Sequence, residues 1–190
     1  MSLVVAVLLC VCVVGVATGG SLARLGEFTL RAPGLAVAAL AVQLTGTVVG
    51  GPVHSIGLVV SSGLAVAFLV RNRGLTGAGL VATGLLLNVV VVVANGAMPV
   101  SLHVAERAGA PVEGLLAGTD PLHELAGAQT RLALLGDVVP VRLPIRPEVV
   151  SAGDVLVAAG LGQLVALAMR GPGRPRGRVR HGQDLDSLQT

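Results

Sequence analysis

Five long apolar runs constrain this 190-residue chain more than any other feature of its sequence. Each is close to the roughly 17–25 residues that a helix needs to cross a bilayer, and none shows the apolar–polar alternation of a membrane β-barrel. Because lipid offers no partner to backbone N–H and C=O groups, such runs close their hydrogen bonds within a helix. We therefore predict an all-α transmembrane bundle of about five spans, at residues 3–20, 34–50, 53–70, 75–94 and 149–169.

The composition excludes an ordinary soluble domain. Hydrophobic residues make up 53% of the chain and charged residues only 12%, whereas soluble domains carry about 25% charge. All 13 basic residues are arginines, and the pI of about 10.1 would also suit a nucleic-acid-binding protein. The chain has two phenylalanines and no tryptophan or tyrosine, so it lacks aromatic platforms for stacking bases, and we expect no nucleic-acid partner.

Most of the arginines lie on segments that five spans would place on one side of the membrane. Two follow the first run, two follow the third and five follow the last. Positive charge on short loops marks the cytoplasmic side. We therefore predict a multi-pass protein of the bacterial cytoplasmic membrane with its N-terminus and the loop 95–148 outside and its C-terminus cytoplasmic. The nine arginines are Arg24, Arg31, Arg71, Arg73, Arg170, Arg174, Arg176, Arg178 and Arg180.

Two units are predicted, a membrane domain at residues 1–170 and a disordered basic tail at residues 171–190. The tail contains too little apolar surface to fold alone. Its arginines either form the ordinary positive flank of a last span or contact anionic lipid headgroups. The candidates for headgroup contact are Arg174, Arg176, Arg178 and Arg180.

The first apolar run permits two interpretations, a retained membrane helix or a cleaved signal peptide. Only Met1 and Ser2 precede the run, so the positively charged start of a signal peptide is missing. The run is also longer than the apolar part of a usual signal peptide. We predict a retained helix.

The loop 95–148 is predicted to contain a short amphipathic helix. Residues 119–121 (Thr-Asp-Pro) form a typical helix start, with an N-cap candidate and a proline in the first turn. Within residues 122–135 one face gathers Leu122, Leu125, Ala126, Leu132 and Ala133, and Gly136 would end the helix. An extended, proline-punctuated stretch then leads back to the last run.

Asp154 is a carboxylate inside the last predicted span and therefore needs a partner, since an ionisable group in lipid costs about 3 kcal/mol or more when unpaired. The candidate partners are Asn88, Asn95 and an arginine of the loop. Three roles are open for Asp154: a structural carboxylate bonded to the turn after the fourth run or to an arginine, a proton or cation site, and a catalytic acid.

Other chemistries find little support in the sequence. His54, His103 and His123 would all face outside, but their spacing matches no zinc motif, so they are weak metal candidates and we expect no metal and no cofactor. The sequence has no nucleophile elbow, it has no phosphate-binding glycine loop outside the predicted spans, and its two cysteines lie in the first run. An enzyme is therefore the less favoured class.

Three stretches between residues 88 and 160 carry a family resemblance. They read Asn95-Gly96-x-Met98-Pro99, Leu135-Gly136-Asp137-Val138-Val139-Pro140 and Ser151-x-Gly153-Asp154-Val155-Leu156. They resemble the hallmark sequences of a family of uncharacterised bacterial polytopic membrane proteins that bears a domain-of-unknown-function label. The resemblance implies a polytopic protein of similar size and carries no activity, substrate or cofactor. The residues it nominates are Asn95, Met98, Pro99, Gly136, Asp137, Pro140, Gly153 and Asp154.

Three classes of function follow from these features. We expect an integral membrane protein that acts without catalysis, as an envelope subunit, sensor or scaffold with the bilayer and a membrane-protein partner as its contacts. The alternative is a small transporter or an ion- or proton-conducting protein that uses Asp154. A hydrolase or transferase with Asp137 and Asp154 as acid and base is the third class, and it needs both carboxylates to converge on an open pocket.

Overall fold

The computed structural model describes residues 2–27, 30–120, 122–143 and 146–171. All five apolar runs form helices, and two short helices lie between the fourth and the last. The helices are α1 Ser2–Ala17, α2 Pro33–Val49, α3 Gly51–Arg71, α4 Ala78–Asn95, α5 Leu102–Ala108, α6 Glu113–Leu116 and α7 Ala152–Arg170. The predicted tail lies outside the described residues, apart from Gly171.

Among the described residues, three helices are long and apolar enough to cross a membrane: α3, α4 and α7. Helices α1 and α2 have 16 and 17 residues, which correspond to about 24 and 26 Å against a hydrocarbon core of about 30 Å. The chain is therefore mostly helical with three candidate spans, and the count of five spans stays a prediction.

The five long helices pack side by side in the order α2, α3, α4, α7, α1. The two ends of α1 lie at the two ends of α7, because Leu3 N–H donates to Glu148 Oε1 (2.5 Å) and Ser21 N–H donates to Met169 O (3.0 Å). Helices α3 and α4 run antiparallel, since Ser55 Oγ donates to Gly96 O (2.8 Å). The bundle therefore has two distinct ends.

One end of the bundle carries Arg24, Arg31, Arg71, Arg73 and Arg170, and we call it the arginine end. Arg31 and Asn72 exchange two hydrogen bonds of 2.9 Å there, which ties the start of α2 to the end of α3. Arg24 Nη1 donates to the last carbonyls of α7, at Arg170 O (2.9 Å) and Met169 O (3.3 Å). A cation at a helix C-terminus is favourable because the unpaired carbonyls there carry negative partial charge.

The contact between α4 and α7 depends on glycines that let the two backbones touch. Gly77 faces Gly160, and Gly84 faces Gly153. On each side of the contact the two glycines are seven residues apart in the chain. A Cβ at Gly160 would lie 2.7 Å from Gly77 O, and one at Gly153 would lie 2.6 Å from Gly84 O. Since seven residues make two helical turns, the glycines form two layers of one seam, as small residues do between membrane helices.

The other end of the bundle carries a four-stranded sheet, and we call it the sheet end. Its strands are β1 Met98–Val100, β2 His123–Leu125, β3 Asp137–Val141 and β4 Glu148–Ser151, in the order β2-β1-β3-β4. The pairs β1–β2 and β1–β3 are parallel, and β3–β4 is antiparallel. We call residues 96–151 the cap. The all-α prediction is therefore wrong for the cap, where strands of three to five residues are too short to show a period.

The amphipathic helix predicted at residues 122–135 is also wrong. That segment contains strand β2 and a 3-10 turn at Ala133–Leu135. Asp120 Oδ1 does accept from the N–H groups of Leu122 (2.9 Å) and His123 (3.1 Å), which is the local bond that the N-cap pattern indicated. The same bond also starts an Asx turn, and parallel pairing with β1 then extends the chain.

Candidate functional site

Three polar side chains form a closed network where α4, β4 and α7 meet. Asn88 Nδ2 donates to Asp154 Oδ1 (2.8 Å), and Ser151 Oγ donates to Asn88 Oδ1 (2.8 Å). Ser151 N–H donates to Asp154 Oδ2 (3.3 Å), and Asp154 N–H donates to Ser151 Oγ (3.0 Å). Both carboxylate oxygens of Asp154 therefore have partners, and we call these three residues the anchor network.

The anchor network follows from a local sequence pattern. Ser151 is the N-cap of α7 and Asp154 is its third residue, and together they form a reciprocal capping box. A carboxylate in the first turn is also favourable because free N–H groups make the helix N-terminus positive. Ser151 is fully buried, so Asn88 completes a polar group that water does not reach. Asn88, one of the predicted partners, therefore forms a hydrogen bond with Asp154.

Gly153 is nominated by the sequence, and its place in the seam explains why no side chain fits there. A Cβ at this position would overlap Asn88 Oδ1 and would lie 2.7 Å from Asn88 Cγ. Glycine at 153 therefore lets the amide of Asn88 reach across to Ser151 and Asp154.

Asn95 takes part in a different contact. Its side chain exchanges two hydrogen bonds with the backbone of Arg131, Nδ2 to O (2.9 Å) and N–H to Oδ1 (2.8 Å). Asn95 Nδ2 also donates to Val91 O (2.9 Å). The residue therefore fixes the loop after β2 to the end of α4 and does not contact Asp154.

The three stretches that carry the family resemblance come together in the sheet. Pro99 is fully buried in β1, and a Cβ at Gly136 would lie 2.8 Å from Pro99 Cγ. Met98 pairs with His123 in the register of β1 and β2. Pro140 is exposed and lies on β3 beyond the end of β1, where the missing N–H leaves no unmade ladder bond to that strand.

Asp137 is a buried carboxylate at the centre of the sheet. Its backbone pairs with Val100 of β1 and Ser151 of β4, and its residue exposure is 5%. Oδ1 is buried and has no hydrogen-bond partner among the described residues. The pKa of Asp137 is raised to about 7, mainly by burial and secondly by the negative charge of Asp154. The charge of Glu148 also raises this pKa, and the positive N-terminus lowers it.

A histidine connects Asp137 to a third carboxylate. His123 Nδ1 lies 3.0 Å from Asp120 Oδ2, and His123 Nε2 lies 3.8 Å from Asp137 Oδ2. Burial raises the pKa of Asp120, but the N–H of Leu122 and the contacts with His123 outweigh it and hold that pKa below its ordinary value. Asp120 and Ser151 are not among the site residues predicted from the sequence. For Ser151 a readable signal exists, because Ser-x-x-Asp is a capping pattern, but the predicted span starts at residue 149, upstream of this N-cap.

The other predicted candidates lie apart from these groups or outside the described residues. His54 is buried at the start of α3, within electrostatic range of His123 and Asp120, and His103 is exposed on α5. No group of three His, Cys, Asp or Glu side chains in the described part of the chain is placed to hold a metal ion. The headgroup candidates Arg174, Arg176, Arg178 and Arg180 lie outside the described residues.

The geometry gives little support to acid–base catalysis by Asp137 and Asp154. A surface cleft of about 530 Å³ lies at the sheet end, lined in part by Asn95, Glu124 and Arg131. Neither Asp137 nor Asp154 lines this cleft. Asp154 is bonded to Asn88 and Ser151, and Asp137 is buried in the sheet.

Comparison with known proteins identifies a family for this chain. A model of a family of unknown function, DUF5317, matches residues 27–166, a range that includes the sheet and the anchor network. No curated protein and no solved structure matches the chain. Since the matched range is well over half of the sequence, the chain belongs to the DUF5317 family of unknown function.

Proposed function

We propose that this chain is a five-span protein of the cytoplasmic membrane that holds its cap outside the cell as a non-enzymatic scaffold or sensor subunit. The observation that carries the proposal is the anchor network, in which Asn88, Ser151 and Asp154 satisfy one another between the bundle and the cap. A rigidly mounted extracytoplasmic surface is what such a subunit presents to a partner.

Five crossings are supported by the way the shorter helices lie. Helix α1 extends along α7 from Glu148 at the sheet end to Met169 at the arginine end. Helix α2 forms a hairpin with α3, closed by the bonds between Arg31 and Asn72. Both helices therefore extend between the same two ends as the three long helices, and flanking residues would complete their spans.

The orientation is supported by the arginines. Arg24, Arg31 and Arg170 take part in contacts at the arginine end, and Arg71 and Arg73 lie at the end of α3 beside Asn72. Positive residues at one end of a membrane bundle favour the cytoplasmic side for that end. The cap then faces outside.

The conducting alternative requires Asp154 to be free to bind and release an ion. Both of its oxygens accept hydrogen bonds, from Asn88 Nδ2 and from Ser151 N–H. Gln163, the next polar residue along α7, is exposed on the bundle surface and so does not continue a polar path from Asn88 through the interior. These contacts favour the structural role of Asp154.

Substitution of Asp154 separates the two functions. In vesicles with an imposed pH gradient, we expect no proton flux from the wild type or from Asp154→Asn beyond that of protein-free vesicles. Asp154→Ala removes the carboxylate from both Asn88 and the capping box, and its cost of about 1–2 kcal/mol should make the cap about 5–30-fold more susceptible to protease. Glu106→Ala, at an exposed position of α5, is the matched control and should leave proteolysis unchanged. Flux in the wild type that Asp154→Asn abolishes, with an intact cap, would establish the conducting alternative instead.

A further inference from the structure

One buried polar group of the cap, the carboxylate of Asp137, remains unexplained by the anchor network. Asp137 Oδ1 has no hydrogen-bond partner among the described residues, and its other oxygen faces His123 Nε2 at 3.8 Å. Buried polar atoms without partners are rare in folded proteins, and a buried ionised carboxylate without a donor is costly. The pair Asp137–His123 therefore needs a physical account.

The position of one proton on His123 follows from Asp120. A carboxylate only accepts hydrogen bonds, so the 3.0 Å contact with Asp120 Oδ2 assigns a proton to His123 Nδ1. In a neutral imidazole the other nitrogen, Nε2, is then an acceptor. That acceptor faces Asp137 Oδ2.

The pair is satisfied only when it contains one further proton. If Asp137 is protonated, its hydroxyl can donate to Nε2 after a small approach; if Nε2 is protonated, an imidazolium faces a carboxylate. With neither proton, a carboxylate that is 5% exposed faces a lone pair. The charges around it make that state worse, because Glu148 of β4 and Asp154 of α7 both act on Asp137 as negative charges, and the positive N-terminus opposes them.

We infer that Asp137 and His123 form a proton-binding site whose single proton holds strand β2 and its turn onto the sheet. The inference deepens the proposed function and rests on it, because a proton bound in an external cap makes the subunit responsive to external pH. The ligand is a proton from solvent, and release returns it to solvent. When the proton is released, His123 on β2 and Asp137 on β3 repel each other. The edge strand β2 is therefore the element that loosens.

A raised pKa for Asp137, near 7, places the release within the physiological range. His54 lies within electrostatic range of His123 and Asp120 from the start of α3, so the site borders the bundle as well as the sheet. Loosening of β2 would therefore affect the junction of the cap and the bundle.

Hydrogen exchange of the full chain in lipid nanodiscs tests the inference. Two amides report the β1–β2 pairing, Met98 N–H to Leu122 O (3.1 Å) and Ala126 N–H to Val100 O (2.9 Å). After correction for intrinsic exchange, we expect their protection to fall about tenfold or more from about pH 6 to about pH 8.5. Asp137→Asn mimics the protonated acid and should keep the protection at high pH, whereas the control Glu106→Gln should behave as wild type.

Two results would overturn the proton site: protection that stays flat over this range in the wild type, or an Asp137→Asn variant with the same loss of protection. If Asp137→Asn does not fold, infrared spectroscopy of the wild type replaces this variant as the test. We expect the band of a protonated carboxyl that disappears as the pH is raised above neutral, and a protein with no such band lacks the site. The measurement uses neither flux nor membrane orientation. A flat profile therefore removes the proton site alone, and a flux that depends on Asp154 removes the scaffold proposal alone.

Discussion

Replacement of Gly153 by alanine should destabilise the protein by about 3 kcal/mol or more. The new Cβ would overlap Asn88 Oδ1 and would lie 2.6 Å from Gly84 O, which is backbone and cannot move without α4. Overpacking of a close contact costs about 1–3 kcal/mol even where side chains yield, and this change also breaks the anchor network. Unfolding of the purified protein in detergent measures the change.

Gly79→Ala is the matched control for this substitution. Gly79 lies in α4, the helix that Gly153 of α7 contacts, yet a Cβ there has no neighbour within 4 Å. Alanine is the better helix former by about 1 kcal/mol, so the control should be neutral or slightly stabilising. Equal stability of Gly153→Ala and Gly79→Ala would show that α4 and α7 do not touch in this way.

Removal of the charge at Asp137 should stabilise the protein at alkaline pH and flatten its pH dependence. The pKa of Asp137 is about 7 in the folded chain against 3.8 ordinarily, so the folded state binds more protons between these values. The contribution of Asp137 to stability is then greatest below about pH 4 and is lost as the pH rises through about 7. The difference of roughly three units corresponds to about 4 kcal/mol, and Asp137→Asn should gain about that much over wild type at about pH 8.

Thermal unfolding of the wild type and Asp137→Asn across this range measures the effect. The carboxylate of Asp120 has a lowered pKa, so its contribution has the opposite sign and is lost only as the pH falls into the acid range. Glu106→Gln, on the exposed face of α5, is the control and should keep the wild-type slope. An Asp137→Asn variant that is less stable than wild type at about pH 8 would contradict the buried, unpartnered state of this carboxyl.

The bundle is the part of the fold that the sequence predicts well. Continuous apolar runs of this length satisfy their backbone hydrogen bonds in lipid by forming helices, and each of these runs forms a helix. The glycine seam is harder to see, because its members are seven residues apart and lie among 27 glycines in the chain. Spacing alone does not distinguish Gly84, where an added Cβ would overlap the backbone of α7, from Gly79, where an added Cβ would meet nothing within 4 Å.

The cap is the part that the sequence predicts poorly. Its strands are three to five residues long, and their pairing joins residues far apart in the chain, such as Met98 with His123 and Asp137 with Ser151. Local patterns cannot specify such contacts, and the N-cap signal at Asp120 starts a turn as readily as a helix. The candidate site can be predicted in part from the sequence. An ionisable residue in a span needs a partner, and Asn88 is among the residues able to reach Asp154.

Cysteine labelling in intact cells tests the central claim, that five spans place the cap outside. In a background without Cys10 and Cys12, single cysteines replace Ala128, exposed in the cap, and Ala23, exposed in the turn after α1 at the arginine end. A membrane-impermeant maleimide should label Ala128→Cys in intact cells and Ala23→Cys only after the membrane is permeabilised. Labelling of Ala23→Cys from outside would contradict the five-span account, and protection of Ala128→Cys would reverse its orientation.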